Sequence, residues 1–341
     1  MSNSPLLSVS NLCVSFNTPD GVVQAVNDVS FDLFPGQTLG IVGESGSGKS
    51  VTASSLLRLN NSVTSTTTGS VQLEGRDVLT VDEPTMRSIR GQDIAMVFQD
   101  PLSALNPYYT VGDQIAEAYI IHHSSATKDD VRARVLEMLK KVGIPNPEKR
   151  IDEYPHQFSG GMRQRIVIAI ALINSPRILI ADEPTTALDV TVQAQILDLM
   201  LDLQRETGMA IILITHDLGV VAEVADSTLV MYGGRIVERA TVSEIFATPT
   251  HPYSWGLLGA VGSLDTSTRG HLTTIPGTPP SLISLPTGCS FHPRCAYAKD
   301  TGSRCTTEVP ELHKVSGTSS SSACHMSDAQ LVSLGARGDT L

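Results

Sequence analysis

Aromatic side chains make up only 4% of this 341-residue chain, with a single tryptophan, so its core must rest on aliphatic packing. Long apolar runs are also missing. The longest, Ile166 to Ile173, is eight residues, against the ~20 that a helix needs to cross a bilayer. The opening Met1-Ser2-Asn3-Ser4-Pro5 has neither the basic nor the apolar region of a signal peptide. Together these point to a cytoplasmic protein that acts at a membrane only through partners. An excess of positive charge is lacking as well: 24 Lys and Arg stand against 35 Asp and Glu, a net charge of −11. That balance argues against nucleic acid as a partner. Cysteine is absent between Cys13 and Cys289, and then Cys289, Cys295, Cys305 and Cys324 crowd the end of the chain. A reducing cytoplasm disfavours disulfides, so the late group leans toward metal.

The length suggests about two domains. The first 42 residues read as strands: Val9, Leu12 and Val14 are apolar among small polar residues, Phe31 and Leu33 alternate with Asp32, and Thr38–Val42 is a short buried run. A helix should follow Lys49 and turn Leu56, Leu57 and Leu59 inward. Residues from about 100 to 165 read as a mainly helical insert. Within it Thr127-Lys-Asp-Asp130 is a helix start, Val131, Val135, Met138, Leu139 and Val142 repeat at helical spacing, and Gly143 is the stop. The α/β core resumes with a strand over 177–182, a helix over about 190–206, a strand over 210–215, and a hairpin over 228–238 turning on Gly233-Gly234. Alternation of strands and helices implies a mostly parallel sheet. The expected division is a core over 1–250 and a loop-rich extension over 251–341, rich in Pro, Ser, Thr and Cys.

Gly43-Glu44-Ser45-Gly46-Ser47-Gly48-Lys49-Ser50 is a complete phosphate loop between an apolar strand and a helical pattern. Its glycines let backbone N–H groups face phosphates, Lys49 reaches the β- and γ-phosphates, and the Ser50 hydroxyl ligates Mg²⁺. Farther on, Phe158-Ser159-Gly160-Gly161-Met162 opens a second helix. A helix N-terminus has free N–H groups and partial positive charge, so it too is an anion receptor. Two receptors in one chain suggest two chains that share nucleotide. The strand over 177–182 ends in Asp182, placed to hold Mg²⁺, and Glu183, placed to act as general base toward water. His216, at the end of the next strand, is a candidate γ-phosphate sensor or simply a capping residue. Gln99, after a strand over 94–98, is a weaker candidate for touching Mg²⁺ and water. Phe16 either offers its ring to adenine or belongs to the core.

In this order the motifs resemble an ABC transporter ATPase subunit along nearly the whole chain. The resemblance implies a P-loop RecA-like ABC nucleotide-binding domain with a helical signature subdomain. The ATP-binding set is then Phe16 with residues 43–51, Val51 included; Mg²⁺ falls to Ser50, Gln99 and Asp182, and catalysis to Glu183, His216 and Gln99. Two subunits would sandwich ATP, with Ser159, Gly160, Gly161 and Met162 facing the partner's nucleotide in trans, and Ala187-Leu188-Asp189 as the D-loop. Phe158 and Met162 depart from the commoner Leu-Ser-Gly-Gly-Gln; the serine and backbone donors are unaffected.

Asp100-Pro-Leu-Ser-Ala-Leu-Asn-Pro107, His251-Pro252-Tyr253 and Gly288-Cys-Ser-Phe-His-Pro-Arg-Cys295 are similar to segments of dipeptide/oligopeptide importer ATPases. That narrower resemblance implies a heterodimer with a second related ATPase subunit, two transmembrane permease subunits, an extracytoplasmic peptide-binding protein, and a place on the cytoplasmic face of the membrane. Other small solutes, nickel or glutathione, are the alternative cargo; a soluble ABC protein outside transport is the alternative class. The four late cysteines are separated by five, nine and eighteen residues, which matches neither the usual zinc nor the usual ferredoxin spacing. Spacing alone leaves metal and free thiols equal. The resemblance implies a [4Fe–4S] cluster on Cys289, Cys295, Cys305 and Cys324, with zinc as runner-up through His292, His313 or His325. Because this tail lies far in sequence from Lys49 and Glu183, loss of the cluster is expected to disturb assembly or stability more than ATP binding.

Overall fold

The computed structural model describes residues 4–99, 104–186, 188–262 and 275–336. In chain order its strands are β1 (Leu7–Thr18), β2 (Gly21–Leu33), β3 (Thr38–Val42), β4 (Ser65–Leu73), β5 (Arg76–Asp77), β6 (Ile94–Val97), β7 (Ile178–Asp182), β8 (Ala210–Thr215), β9 (Ser227–Tyr232), β10 (Arg235–Thr241), β11 (His313–Lys314) and β12 (Ser321–Ser322). Two compact units divide the chain. One takes the described residues up to Leu33, Thr38–Leu79 and those from Ile214 onward; the other takes Phe34–Gln37 and Thr80–Leu213.

In the first unit β1 pairs antiparallel with β2, from Leu7↔Leu33 to Thr18↔Gly21, and with β4 on its other side. Leu7 and Val9 and, past an irregularity in the pairing, Leu12 and Val14 form the buried face of β1, as one-sided strands require. β3 runs parallel to β9, with Ile41 opposite Leu229, and every residue of β3 is buried, as befits a strand covered on both faces. β9 and β10 form the expected hairpin, and both turn residues, Gly233 and Gly234, have positive φ, at 55° and 79°. That is the requirement of a tight primed turn. The helix after the phosphate loop is Lys49–Leu56. Leu56 and Leu57 are buried, but Leu59 is 43% exposed, contrary to the pattern reading, because Arg58 at φ 50° turns the chain out of the helix first.

The end of the chain belongs to this unit. β12 pairs with β10 (Glu238↔Ser322, Arg239↔Ser321) and β11 with β12. Trp255, Val315, Met326 and Leu331 make one small core. Tyr232, Tyr253 and Phe291 meet edge-on or tilted in another, with ring centroids 4.6 to 5.4 Å apart. The chain's one tryptophan is therefore spent here.

In the second unit the strand order is β6-β7-β8, with β6 and β7 parallel from Ile94↔Ile178 to Val97↔Ala181. The helices Val111–Ile120, Lys128–Lys141 and Gly160–Leu172 make up most of the insert. Thr127 caps the second of these in a reciprocal box with Asp130, and Val131, Val135, Met138 and Leu139 are its buried face. Gly143, at φ 75°, follows the cap as the sequence pattern requires. Among the described residues no helix is long and apolar enough to cross a membrane.

Candidate nucleotide site

Gly43 and Gly48 have φ of 153° and 102°, and a Cβ on either would meet a backbone carbonyl, Met231 O at 2.2 Å or Ala25 O at 2.4 Å. Glycine is thus required twice, by conformation and by space. Gly48 caps the following helix in the left-handed conformation, with no side-chain hydrogen bond of its own. Lys49 is buried; its Nζ donates to the carbonyls of Gly43 at 2.7 Å and Glu44 at 2.9 Å. Gly46, Ser45 and Ser50 are exposed along the same loop, Ser47 is buried and Val51 half-buried in the helix. Phe16 is half-buried on β1, opposite Val23 and Ser65.

Ser159 precedes the helix Gly160–Leu172 in an extended conformation, and its Oγ accepts from the Met162 N–H at 3.4 Å. Gly160 is exposed, and a Cβ on Gly161 would come within 2.6 Å of Val192, so that glycine lets two helix starts approach. Phe158 is buried under the Arg150 guanidinium, 5.3 Å from its ring centroid, which explains how a large ring is housed there. Met162 is half-buried.

Asp182 ends β7 and is buried, while Glu183 steps into the left-handed region at φ 48°. Such a conformation costs a side-chain-bearing residue roughly 1–2 kcal/mol, and strain of this kind gathers at functional sites. The Glu183 carboxylate accepts from Gln99 Nε2 at 2.8 Å and from Thr186 Oγ1 at 2.9 Å. The structure therefore brings Gln99 and Glu183 together. Thr186 was absent from the sequence reading, although its place three residues after Glu183 in a turn could have suggested it. Asp189 caps the helix Val190–Thr207, accepting from the Val192 N–H at 3.0 Å. Ala187 and residues 100–103 lie outside the described residues. His216 is exposed just past β8, and Asp217 beside it caps the next helix, accepting from Gly219 N at 2.7 Å.

The four late cysteines come from separate segments into one neighbourhood: Cys289 N–H donates to Cys305 O at 2.9 Å, and Cys305 Sγ accepts from Thr301 Oγ1 at 2.9 Å. Burial pushes the thiols of Cys289, Cys295 and Cys324 up to about 11, 12 and 12. No group of three or more His, Cys, Asp or Glu among the described residues is arranged to hold a metal ion, so the implied cluster finds donors of suitable chemistry but no ligating geometry. The histidines considered for zinc are engaged: His292 with Cys289 O, His313 with Asp328, and His325 with Glu308 O. The same tail sends Tyr253 and Arg294 to Glu44 in the phosphate loop, and the sequence reading assigned neither a role. Both sit within the His-Pro-Tyr and Phe-His-Pro-Arg-Cys motifs, which were the available signal.

A family model described as ABC transporter matches residues 26–186, and one described as Oligopeptide/dipeptide transporter, C-terminal region, matches residues 237–301. The chain belongs to the ABC transporter ATP-binding proteins, in the branch that carries this C-terminal region. Its fold is the P-loop, RecA-like α/β cassette of that family. Two relatives come from Bacillus subtilis (strain 168). The dipeptide transport ATP-binding protein DppD is 56% identical over 291 residues, covering 85% of this chain and 86% of that protein. The oligopeptide transport ATP-binding protein OppD is 51% identical over 314 residues, covering 92% of this chain and 87% of that protein. Among solved structures, the dimeric post-hydrolysis state of the ATP-binding cassette MJ0796 bound to ADP and Pi aligns with a TM-score of 0.62 at 26% identity, over 69% of this chain and 98% of that one.

Proposed function

We propose that this chain is the ATP-hydrolysing subunit that powers import of dipeptides or oligopeptides through a membrane permease complex. The observation that carries the reading is the pairing, in one chain, of a formed phosphate loop with the peptide-transporter C-terminal region at residues 237–301. Relatives named for dipeptide and oligopeptide transport, similar over most of their length, support peptide as the cargo.

In this reading residues 43–51 hold the phosphates of ATP, with Lys49 on the β- and γ-phosphates and Phe16 beside the base. Ser50 and Asp182 hold Mg²⁺, with Gln99 contributing to the ion and the water. Mg²⁺, when bound, neutralises developing charge on the phosphates. Glu183 takes a proton from the attacking water, and its bonds from Gln99 Nε2 and Thr186 Oγ1 orient the carboxylate for that step. His216 senses the γ-phosphate. Ser159, Gly160, Gly161 and Met162 act on the nucleotide of a second, related ATPase subunit, and Asp189 lies in the D-loop between them. Two permease subunits and an extracytoplasmic peptide-binding protein complete the importer, which places the chain on the cytoplasmic face of the membrane.

A finer part of the proposal concerns the tail. Cys289, Cys295, Cys305 and Cys324 hold a [4Fe–4S] cluster, supported by the convergence of four thiols from distant segments; zinc is the alternative. Iron and sulfide analysis of anaerobically purified protein tests it, and zinc without iron would sink it.

The main test is reconstitution. Alone and dilute, the subunit should hydrolyse ATP slowly. Adding the related ATPase subunit with the permeases should raise the rate, and peptide-loaded binding protein should raise it again. A rate that responds to no peptide, while responding to another loaded solute, would remove peptide as cargo.

A further inference from the structure

Glu44, the second residue of the phosphate loop, is held at every polar group it has. Its N–H donates to the Tyr253 hydroxyl at 2.8 Å. Its carbonyl accepts from Lys49 Nζ at 2.9 Å and from the Ser47 N–H at 3.2 Å. Its carboxylate receives both ends of the Arg294 guanidinium, Nη1 to Oε2 at 2.6 Å and Nη2 to Oε1 at 3.1 Å. Such a fork is the strongest and most directional of the common ion pairs.

Arg294 is fixed in turn. Its side chain is 5% exposed, Nε donates to Pro276 O at 2.8 Å, and Nη1 reaches the Tyr232 hydroxyl at 3.4 Å. Tyr253 is fully buried against Tyr232 and Phe291. Both contacts to Glu44 therefore come from rigid, packed groups of the C-terminal extension, separated from it by 209 and 250 residues of chain.

We infer that Arg294 and Tyr253 are positioning residues for the phosphate loop, through which the C-terminal extension sets ATP affinity. Two physical effects act together. Pinning the Glu44 N–H and carboxylate fixes the carbonyl on which the Lys49 ammonium rests, so the lysine is aimed before nucleotide arrives. Arg294 also neutralises a carboxylate that would otherwise repel phosphate from within the loop.

The inference rests on residues 43–50 being the ATP-phosphate loop. The test is titration of the full-length chain with Mg-ATP, together with KM and kcat of the assembled ATPase, in Arg294→Ala, Glu44→Ala, the double variant and Tyr253→Phe. Arg294→Ala should weaken binding roughly three- to thirty-fold, raising KM for ATP by a similar factor with kcat changed much less. Tyr253→Phe, which keeps the ring packing, should weaken it by a few-fold. The double variant should be no worse than the poorer single one, because both remove one interaction. Arg294→Lys should restore part of the affinity.

If Arg294→Ala fails to fold, Glu44→Ala and Tyr253→Phe carry the test, since Glu44 is only half-buried. A lowered melting temperature with unchanged Kd and KM, or additive losses in the double variant, would overturn the inference. Failure of the unaltered protein to bind ATP would instead overturn the reading of the loop itself.

Discussion

The two helix N-termini that sequence reading marked as anion receptors differ in how they are built. Lys49–Leu56 starts from a left-handed glycine with no side-chain cap, and neighbouring carbonyls leave no room for a Cβ. Gly160–Leu172 starts from an extended serine whose own oxygen covers the N–H of Met162, at a long 3.4 Å. The first receptor is a fixed cradle. The second is capped by its own serine and gives up little to change partners, since a hydrogen bond of that length is weak. Its hydroxyl can still donate while accepting. Under the proposed assignment, the receptor for the subunit's own nucleotide is kept formed, and the one for a partner's nucleotide is kept convertible.

Lys49→Ala should break the comparison most severely. Removing the buried ammonium should weaken ATP binding by roughly a hundredfold or more, measured with a fluorescent nucleotide; near-normal affinity would mean the cradle is not the phosphate site. Glu183→Gln comes next. Hydrolysis should fall roughly 10²–10⁴-fold while binding persists and an ATP-bound dimer accumulates on size exclusion, and near-normal turnover would remove Glu183 as base. Ser159→Ala sharpens the contrast between the two receptors. The isolated, dilute subunit should bind ATP as before, whereas turnover of the assembled ATPase should drop about tenfold. Loss of the cap alone should cost about 1 kcal/mol of stability; a changed Kd in the monomer would show that the second receptor is not reserved for a partner.

The smallest effect concerns stability and pH in the unit that holds the fixed cradle. Burial pushes the Glu238 carboxyl from 4.5 up to about 7, although Thr250 donates to it through its N–H at 2.6 Å and its hydroxyl at 2.9 Å. Between those values the folded chain holds a proton that the unfolded chain has released, so this group's contribution falls as pH rises through 7. His251 acts in the opposite sense: burial lowers it from 6.5 to about 3, so its contribution is lost as pH falls below 6.5. Subtracting melting curves of Glu238→Gln from those of the unaltered chain isolates the first term. The difference should shrink between pH 5 and 8, and a flat difference would show Glu238 to be ordinary.

Legibility followed locality. The strand 210–215, the helix begun by Thr127 and the turn at Gly233-Gly234 were readable because periodicity, capping and positive-φ glycine act within a few residues. The phosphate loop was readable for the same reason. Leu59 was misplaced because one left-handed residue, Arg58, decided its direction, and nothing in an apolar periodicity marks such a residue. The contacts of Arg294 and Tyr253 with Glu44 were invisible in sequence, since no local rule pairs residues more than 200 positions apart. The cysteines show the middle case. Their crowding was plain, their convergence is real, and their ligating geometry does not follow from either.

The pairing of β12 with β10 has a bearing on solubility. A hairpin strand such as β10 presents a row of backbone donors and acceptors to any extended segment that passes, which is how sheets recruit unrelated chains. The tail spends two residues, Ser321 and Ser322, on that border and ends the ladder with another two, His313 and Lys314, the last of them charged and outward. An edge so short and so polar offers little purchase to a newcomer. A chain cut near residue 250 would bare β10 and should be recovered as aggregate even where its nucleotide loop could still form.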